Sequence, residues 1–458
     1  MSLALSSTAT DGRGRALAAL ARALREGAGV VTLAAPRARV TALWDARGDA
    51  VLWQPPGEPA VAGLGVARAL PVQGGALGPL EAGFALGPEH ASVEAPPSRA
   101  FGGMAFAPGA ADAAPWEGFG DGLFVVPRWS YGHGVEGAWL RFTADPEGAD
   151  AERAQAELAA IWDRLEADAA LPSAPALAAV EDAPRALWRE HVEAITDAIA
   201  AGEVRKVVVA RGAAVRLAGE ADPRRVLHAL GARFPGCARF ALRRGGTTFL
   251  GATPERLVRK EGDRCRTEAL AGSAPVGRGE ALRASEKDRH EHALVVDAIA
   301  SALAPYAELA LPEGPAVREL PNVVHLHTPI EGRLREDVHV LRLVQALHPT
   351  PAVGGVPREA ALRWIRDREQ RLIGARGWYA APFGAFDARG DGAFVVALRS
   401  GLLRGERAWA FAGGGIVGGS EPDAEYEEAS MKMGAFLGAL DPRADEAGAE
   451  RGGEERAP

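Results

Sequence analysis

Between 185 and 440 the chain changes its hydrophobic period several times, and each change marks an element. The stretch LWREHVEAITDAIAAGEV repeats its apolar positions at helical spacing, and KVVVAR (206–211) follows as a short apolar run of strand type. RFALRRGGTTFLGATPERLVRKEGDRCRTEAL then alternates, with turns at Gly245-Gly246 and Glu261-Gly262-Asp263, which predicts an antiparallel meander. Helical spacing returns from Ser285, at 337–347 and at 357–369. Residues 378–418 read as strands joined by Gly and Asp turns. A last helix is expected from about Pro422 to Leu440, since Pro suits the first helical position.

The first 165 residues are less regular. Short apolar stretches alternate with turns such as QPPGEPA (54–60) and APGAADAAP (107–115), and AERAQAELAAIWDRLEAD (151–168) has a helical period. Residues 169–184 read as a connecting segment rich in Pro and Ala. The expected organisation is an N-terminal part of the fold (1–180), a main domain (181–441) and a charged, Gly-rich tail (442–458) expected to be disordered. Strands mixed with helices, without strict βαβ alternation, predict an α/β fold of the α+β kind with antiparallel sheets.

Composition narrows the function. A content of 47% hydrophobic and 24% charged residues is that of an ordinary soluble protein, and a net charge of -8 argues against nucleic acid. No run approaches the roughly 18 apolar residues that a membrane helix needs. The N-terminus lacks an uninterrupted apolar secretory stretch, and the two cysteines, Cys237 and Cys265, have no metal-type spacing. A cytoplasmic protein is expected. Only four of the 52 basic residues are lysines: Lys206, Lys260, Lys287 and Lys432. Against such a bias toward arginine, a retained lysine points to a need for an amine or a compact charge, which Arg cannot supply.

Several residues have the chemistry of a site. On the helix from Ser285, Leu294, Val295, Ala298, Ile299, Ala302 and Leu303 form one apolar arc, and Glu291 projects inside it. Either its head reaches water or a cation holds it, because an unpaired buried charge is costly. Glu425, Glu428 and Lys432 share one face of the last helix by their spacing. They form a solvated surface pair or, if the two acidic helices face each other, an oxygen-only ligand set suited to Mg²⁺ rather than zinc. Lys206 opens an apolar strand, either as a solvated cap or, where desolvation favours the neutral amine, as a general base. Glu255 follows a Thr-Pro turn, either as a surface residue or as a pre-positioned general acid. AGGGIVGG (412–419) matches GxGxxG but is too near the end to complete a dinucleotide-binding unit, and it lacks the GK[ST] of a P-loop. Its exposed N–H groups suit a carboxylate, as do those of ALAGSAP (269–275). Arg399 could form a bidentate carboxylate pair, and Tyr379 could add a hydroxyl.

Together these pieces resemble the chorismate-utilising enzymes: isochorismate, salicylate, anthranilate and aminodeoxychorismate synthases. The resemblance spans about Arg185 to Leu440 and rests on KVVVAR, GATPERL, ALAGS, DRHEHALVV, VVHLHTP, ALHPTPAVGG, ALRSG, AGGGIV and EYEEASMK, in the family's order. It implies an anthranilate-synthase-like (ADC synthase) fold, with two antiparallel sheets surrounded by helices and the site between them. It also implies that Glu291, Glu425 and Glu428 hold Mg²⁺, and that Gly272, Ser273, Tyr379, Arg399, Gly413, Gly415 and Lys432 bind the substrate's two carboxylates. His325 would face the ring, with Leu270 and Ala352 as walls.

Three positions suggest the reaction type within the resemblance. Aminating members carry Gln or Asn where Lys206 stands, so Lys206 favours water. Aminodeoxychorismate synthases place a nucleophilic Lys where this chain has Ala271. HPTPAVGG looks like the isochorismate type, although Val353-Gly354-Gly355 departs slightly from the commoner pattern. The implied reaction has Lys206 activating water for attack on C2 of chorismate, while Glu255 protonates the departing C4 hydroxyl. The product would feed a quinone or siderophore pathway. The water-using type needs no glutaminase subunit, and a monomer is expected. The alternatives are a salicylate synthase, which also eliminates pyruvate, and a non-catalytic chorismate-binding subunit.

Overall fold

The computed structural model describes residues 4–441 apart from 46, 135–136 and 321–322, so the tail at 442–458 lies outside the described residues. Hydrogen bonding runs unbroken through 21 described strands, antiparallel at every pairing except that of Val30–Ala35 with Glu89–Ala91. The ribbon curls into two arms. One passes from Lys206–Leu217 through Arg407–Ile416, Ser400–Arg404, Thr247–Thr253, Ala238–Arg244 and Ala50–Gln54 to Val61–Pro71. The other passes from Val323–Leu334 through Arg264–Ala274, Arg256–Glu261, Gly392–Val396 and Pro382–Asp387 to Arg99–Met104. They join at Gly122–His133, which pairs with Val61–Pro71 on one edge and with Arg99–Met104 and Ala138–Thr143 on the other.

Aromatic side chains fill the space between the arms. Phe240 meets Phe383 with ring centroids 4.7 Å apart, Trp53 meets Phe383 at 6.2 Å, and Phe249 meets Trp378 at 6.3 Å. All five are buried. Burying each such side chain contributes roughly 1.5–3 kcal/mol, so this layer does much to hold the arms together.

The chain crosses between the arms at two places that matter for chemistry. Thr247–Thr253 belongs to the first arm and Arg256–Glu261 to the second, which leaves Glu255 at the crossing. Gly392–Val396 belongs to the second and Ser400–Arg404 to the first, which leaves Arg399 at the return. The helix Glu286–Leu303, capped by Ser285 Oγ accepting from Asp288 N, packs on Arg264–Ala274. The helix Pro422–Leu440 packs on Arg407–Ile416. No described helix is long and apolar enough to cross a membrane.

One sequence expectation is corrected, and one element comes in addition. The segment 169–184 is not only a connection: Leu177–Asp182 is a strand paired with Lys206–Leu217. Its side chains are mostly exposed, so it carries no apolar run to announce it. The N-terminal Ala- and Arg-rich stretch forms a helix, Ala4–Arg25, although Gly12 and Gly14 weaken its local preference. Packing against Val30–Ala35 and Ala151–Ala167 compensates.

Candidate active site

The first arm contributes an amine and a backbone cradle. Lys206, 1% exposed, directs its Nζ to Glu291 Oε1 at 2.8 Å. Beside it in register lies the glycine run of Arg407–Ile416, with Gly415 opposite Val208 and Gly413 opposite Ala210. A Cβ on Gly415 would come within 2.7 Å of Glu291 Oε1 and 2.8 Å of Lys206 Cε. Glycine there lets the ion pair and the backbone occupy the same corner.

The crossings contribute an acid and a guanidinium. Glu255 N–H donates to Thr253 Oγ1 and its carbonyl accepts from Val396 N, so the backbone is fixed while the side chain faces the cavity. Burial, then the charge of Glu268, pushes its carboxyl up to about 8 against the pull of Lys206 and Lys432. The group is therefore a proton donor near neutrality. Arg399 is buried with φ of 48°, and among the described residues its Nη1 has no hydrogen-bond partner. A carboxylate in the cavity would satisfy that N–H. Ala380, at φ of 59°, is another cavity-lining residue in the left-handed region. Tyr379 is buried beside it, and burial pushes its phenol up, so it remains a donor.

The second arm contributes a neutral imidazole. His325 Nδ1 donates to the Gly272 carbonyl at 3.1 Å and lies 3.0 Å from Ser273 Oγ. Burial, with the charges of Lys432 and Arg399, lowers it to about 3, so it stays neutral with Nε2 as an acceptor.

The two acidic helices face each other across the mouth. Glu425 accepts from Ser420 Oγ at 2.7 Å and Lys287 Nζ at 3.4 Å. Glu428 accepts from Lys432 Nζ at 2.6 Å, and Lys432 also reaches the Gly413 carbonyl at 3.4 Å. Burial, then the charges of Glu428 and Glu291, raises Glu425, which marks an excess of negative charge. Among the described residues no three His, Cys, Asp or Glu side chains stand close enough to hold one ion. Instead Glu291, Glu425 and Glu428 each pair with a lysine. The donor set is oxygen-only, a chemistry that suits a hard divalent cation in place of the three ammonium groups.

Every expected site residue lines one cavity of about 1000 Å³, its open mouth included: Lys206, Glu255, Leu270, Gly272, Ser273, Glu291, His325, Ala352, Tyr379, Arg399, Gly413, Gly415, Glu425, Glu428 and Lys432. The motif reading missed Lys287, Asp288 and Arg376, which also line it. Lysine scarcity had already singled out Lys287. Arg376 had no signal: its role appears only through Glu369, which it grips at 2.6 Å, and the Val208 and Val353 carbonyls, each at 2.8 Å.

Comparison with known proteins follows the same lines. The family described as "Chorismate binding enzyme" matches residues 46–441. A Pseudomonas aeruginosa protein named "Salicylate biosynthesis isochorismate synthase" is 47% identical over 281 residues, 59% of this chain and 58% of that protein. The chain thus spans less than two thirds of that relative. "Isochorismate synthase MenF" of Bacillus subtilis is 36% identical over 74% of each chain. Among solved structures, the menaquinone-specific isochorismate synthase MenF of Escherichia coli aligns with a TM-score of 0.74 and 25% identity, over 93% of this chain and 99% of that one. Anthranilate synthase component I of Streptococcus pneumoniae, at 20% identity and a TM-score of 0.64 over 86% of this chain and 93% of that one, shares the fold.

Proposed function

The chain belongs to the chorismate-binding enzymes, and from that premise we propose that it is an isochorismate synthase, adding water at C2 of chorismate and releasing the C4 hydroxyl. The observation that carries the reading is the opposition, in one cavity, of a buried amine on the first arm and a buried, protonated carboxyl at the crossing. Lys206, acting as the free amine once its ion pair with Glu291 is released, takes a proton from the attacking water. The ring double bonds shift, and Glu255 gives its proton to the departing hydroxyl, so Lys206 ends protonated and Glu255 ionised, the states from which the reverse reaction starts.

The remaining residues bind and orient. Arg399 Nη1, the Tyr379 hydroxyl and the N–H groups around Gly413 and Gly415 receive the carboxylates, and Leu270 and Ala352 wall the ring. Glu291, Glu425 and Glu428 would hold Mg²⁺, which when bound grips a substrate carboxylate and stabilises charge developing there. Water as nucleophile requires no ammonia-delivering subunit, and the chain is proposed to act as a cytoplasmic monomer. The test is incubation with chorismate and Mg²⁺ followed by separation of products. Isochorismate without pyruvate is expected; salicylate with equimolar pyruvate would make the enzyme a salicylate synthase.

A further inference from the structure

Glu268 lies on the strand Arg264–Ala274, two residues before Leu270, and is buried without lining the cavity. Its Oε1 accepts from the backbone N–H of Arg256 at 3.0 Å, and that residue directly follows Glu255. Its Oε2 lies 2.9 Å from His327 Nε2, and Arg318 Nη1 reaches both oxygens at 3.2 Å. The two partners come from adjoining strands, Val323–Leu334 and Ala316–Leu320. The Glu255 carboxyl, by contrast, receives no hydrogen bond from the described residues. We propose that Glu268 is a positioning residue for the reaction: its carboxylate anchors the turn that carries Glu255 and keeps a negative charge against it, so that Glu255 waits in its acid form. The inference rests on the proposed role of Glu255 as proton donor.

The arrangement divides one acidic pair into unlike members. Burial alone would raise both carboxyls, but hydrogen bonding from His327, the charge of Arg318 and the Arg256 N–H hold Glu268 below the usual carboxylate range. With Glu268 ionised, a second charge beside it is disfavoured, and the proton stays on Glu255. The charged groups facing Glu255 are Glu268 behind it, with Lys206 and Lys432 on the other arm and the last helix; the neutral Tyr379 phenol completes the surround. The lysines pull toward ionisation, and burial first, then the negative charge of Glu268, offsets them. A glutamine at this position could still accept the Arg256 hydrogen bond but would carry no charge.

That difference sets the test, which follows kcat against pH at saturating chorismate and Mg²⁺ for full-length wild type, Glu268→Gln and Arg318→Gln. Loss of Glu255's proton gives the wild type an alkaline limb near the value of about 8. Glu268→Gln keeps the shape and removes the charge, so the limb should move down by about one pH unit, with activity retained at lower pH. Arg318→Gln leaves the Glu268 charge less balanced and should move the limb upward. If Glu268→Gln does not fold, the direction for Arg318→Gln decides. An unmoved limb, or kcat lowered by one factor at every pH, overturns the inference. Glu255→Gln separates the two levels: if its residual rate still shows the limb, the acid role of Glu255 and the inference fall together, whereas a limb that depends on Glu255 but ignores Glu268 removes the inference alone.

Discussion

Glu255 is an acid only while it holds its proton, which its burial and its acidic neighbour preserve up to about pH 8. Turnover should therefore fall about tenfold per unit above that point, as a kcat profile would record. Replacing Lys206 or Glu255 by Ala should each cost roughly 10² to 10⁴-fold in kcat with an unchanged circular dichroism spectrum. Near-wild-type turnover in either would remove the acid–base pair. Lys206→Gln should behave differently from Lys206→Ala. A glutamine cannot take a proton from water, but its carbonyl can position ammonia, so a 2-amino product should appear at high ammonium and be detectable by mass spectrometry. At this scale the sequence was highly legible, because scarcity did the sorting: of four lysines, three line the cavity, and the fourth, Lys260, is a buried partner of Asp391. Glu268 and Arg376 were not legible. Their value lies in hydrogen bonds to residues distant in sequence, and nothing in their own neighbourhood reports that.

At the scale of elements, the three glutamates sit on two helices that each rest on a different arm of the sheet. Activity should vanish in excess EDTA and return with added Mg²⁺, and Glu425→Gln should raise the Mg²⁺ concentration for half-activity. Retained activity in EDTA would remove the ion from the account. The glycine departure in HPTPAVGG also acquires a meaning here. Gly355 pairs with Val207 at φ of 151°, and a Cβ would lie 2.2 Å from the Lys206 carbonyl oxygen and 2.6 Å from Ala361 Cβ. Gly355→Ala should cost on the order of 2–3 kcal/mol and lower both Tm and kcat, since the relief is a shift of the strand that starts at Lys206. An unchanged Tm would show that the strand pair yields without cost. The helix Pro422–Leu440 was read with its start intact because Pro at the first helical position is a local signal. The edge strand Leu177–Asp182 was not, because an exposed strand is specified by the partner it pairs with.

Across the whole molecule, the N-terminal residues are part of the catalytic sheet. Ala50–Gln54 is hydrogen-bonded to Ala238–Arg244, and Arg99–Met104 to Pro382–Asp387. A fragment of residues 181–441 would expose those strand edges and the aromatic layer, and it should fail to give the cooperative melting expected of the full chain. Such pairings join residues far apart in sequence, which is why the early strands were visible only as apolar stretches without a destination. The cavity they help to build serves the central proposal, that water is the nucleophile and the C4 hydroxyl the leaving group. Turnover in H₂¹⁸O tests it most directly, with the isochorismate analysed by mass spectrometry. One ¹⁸O per molecule, at the C2 hydroxyl, is predicted for the wild type and should be lost with turnover in Lys206→Ala. Isochorismate formed without label would mean that the hydroxyl migrates within the substrate, and would contradict the mechanism.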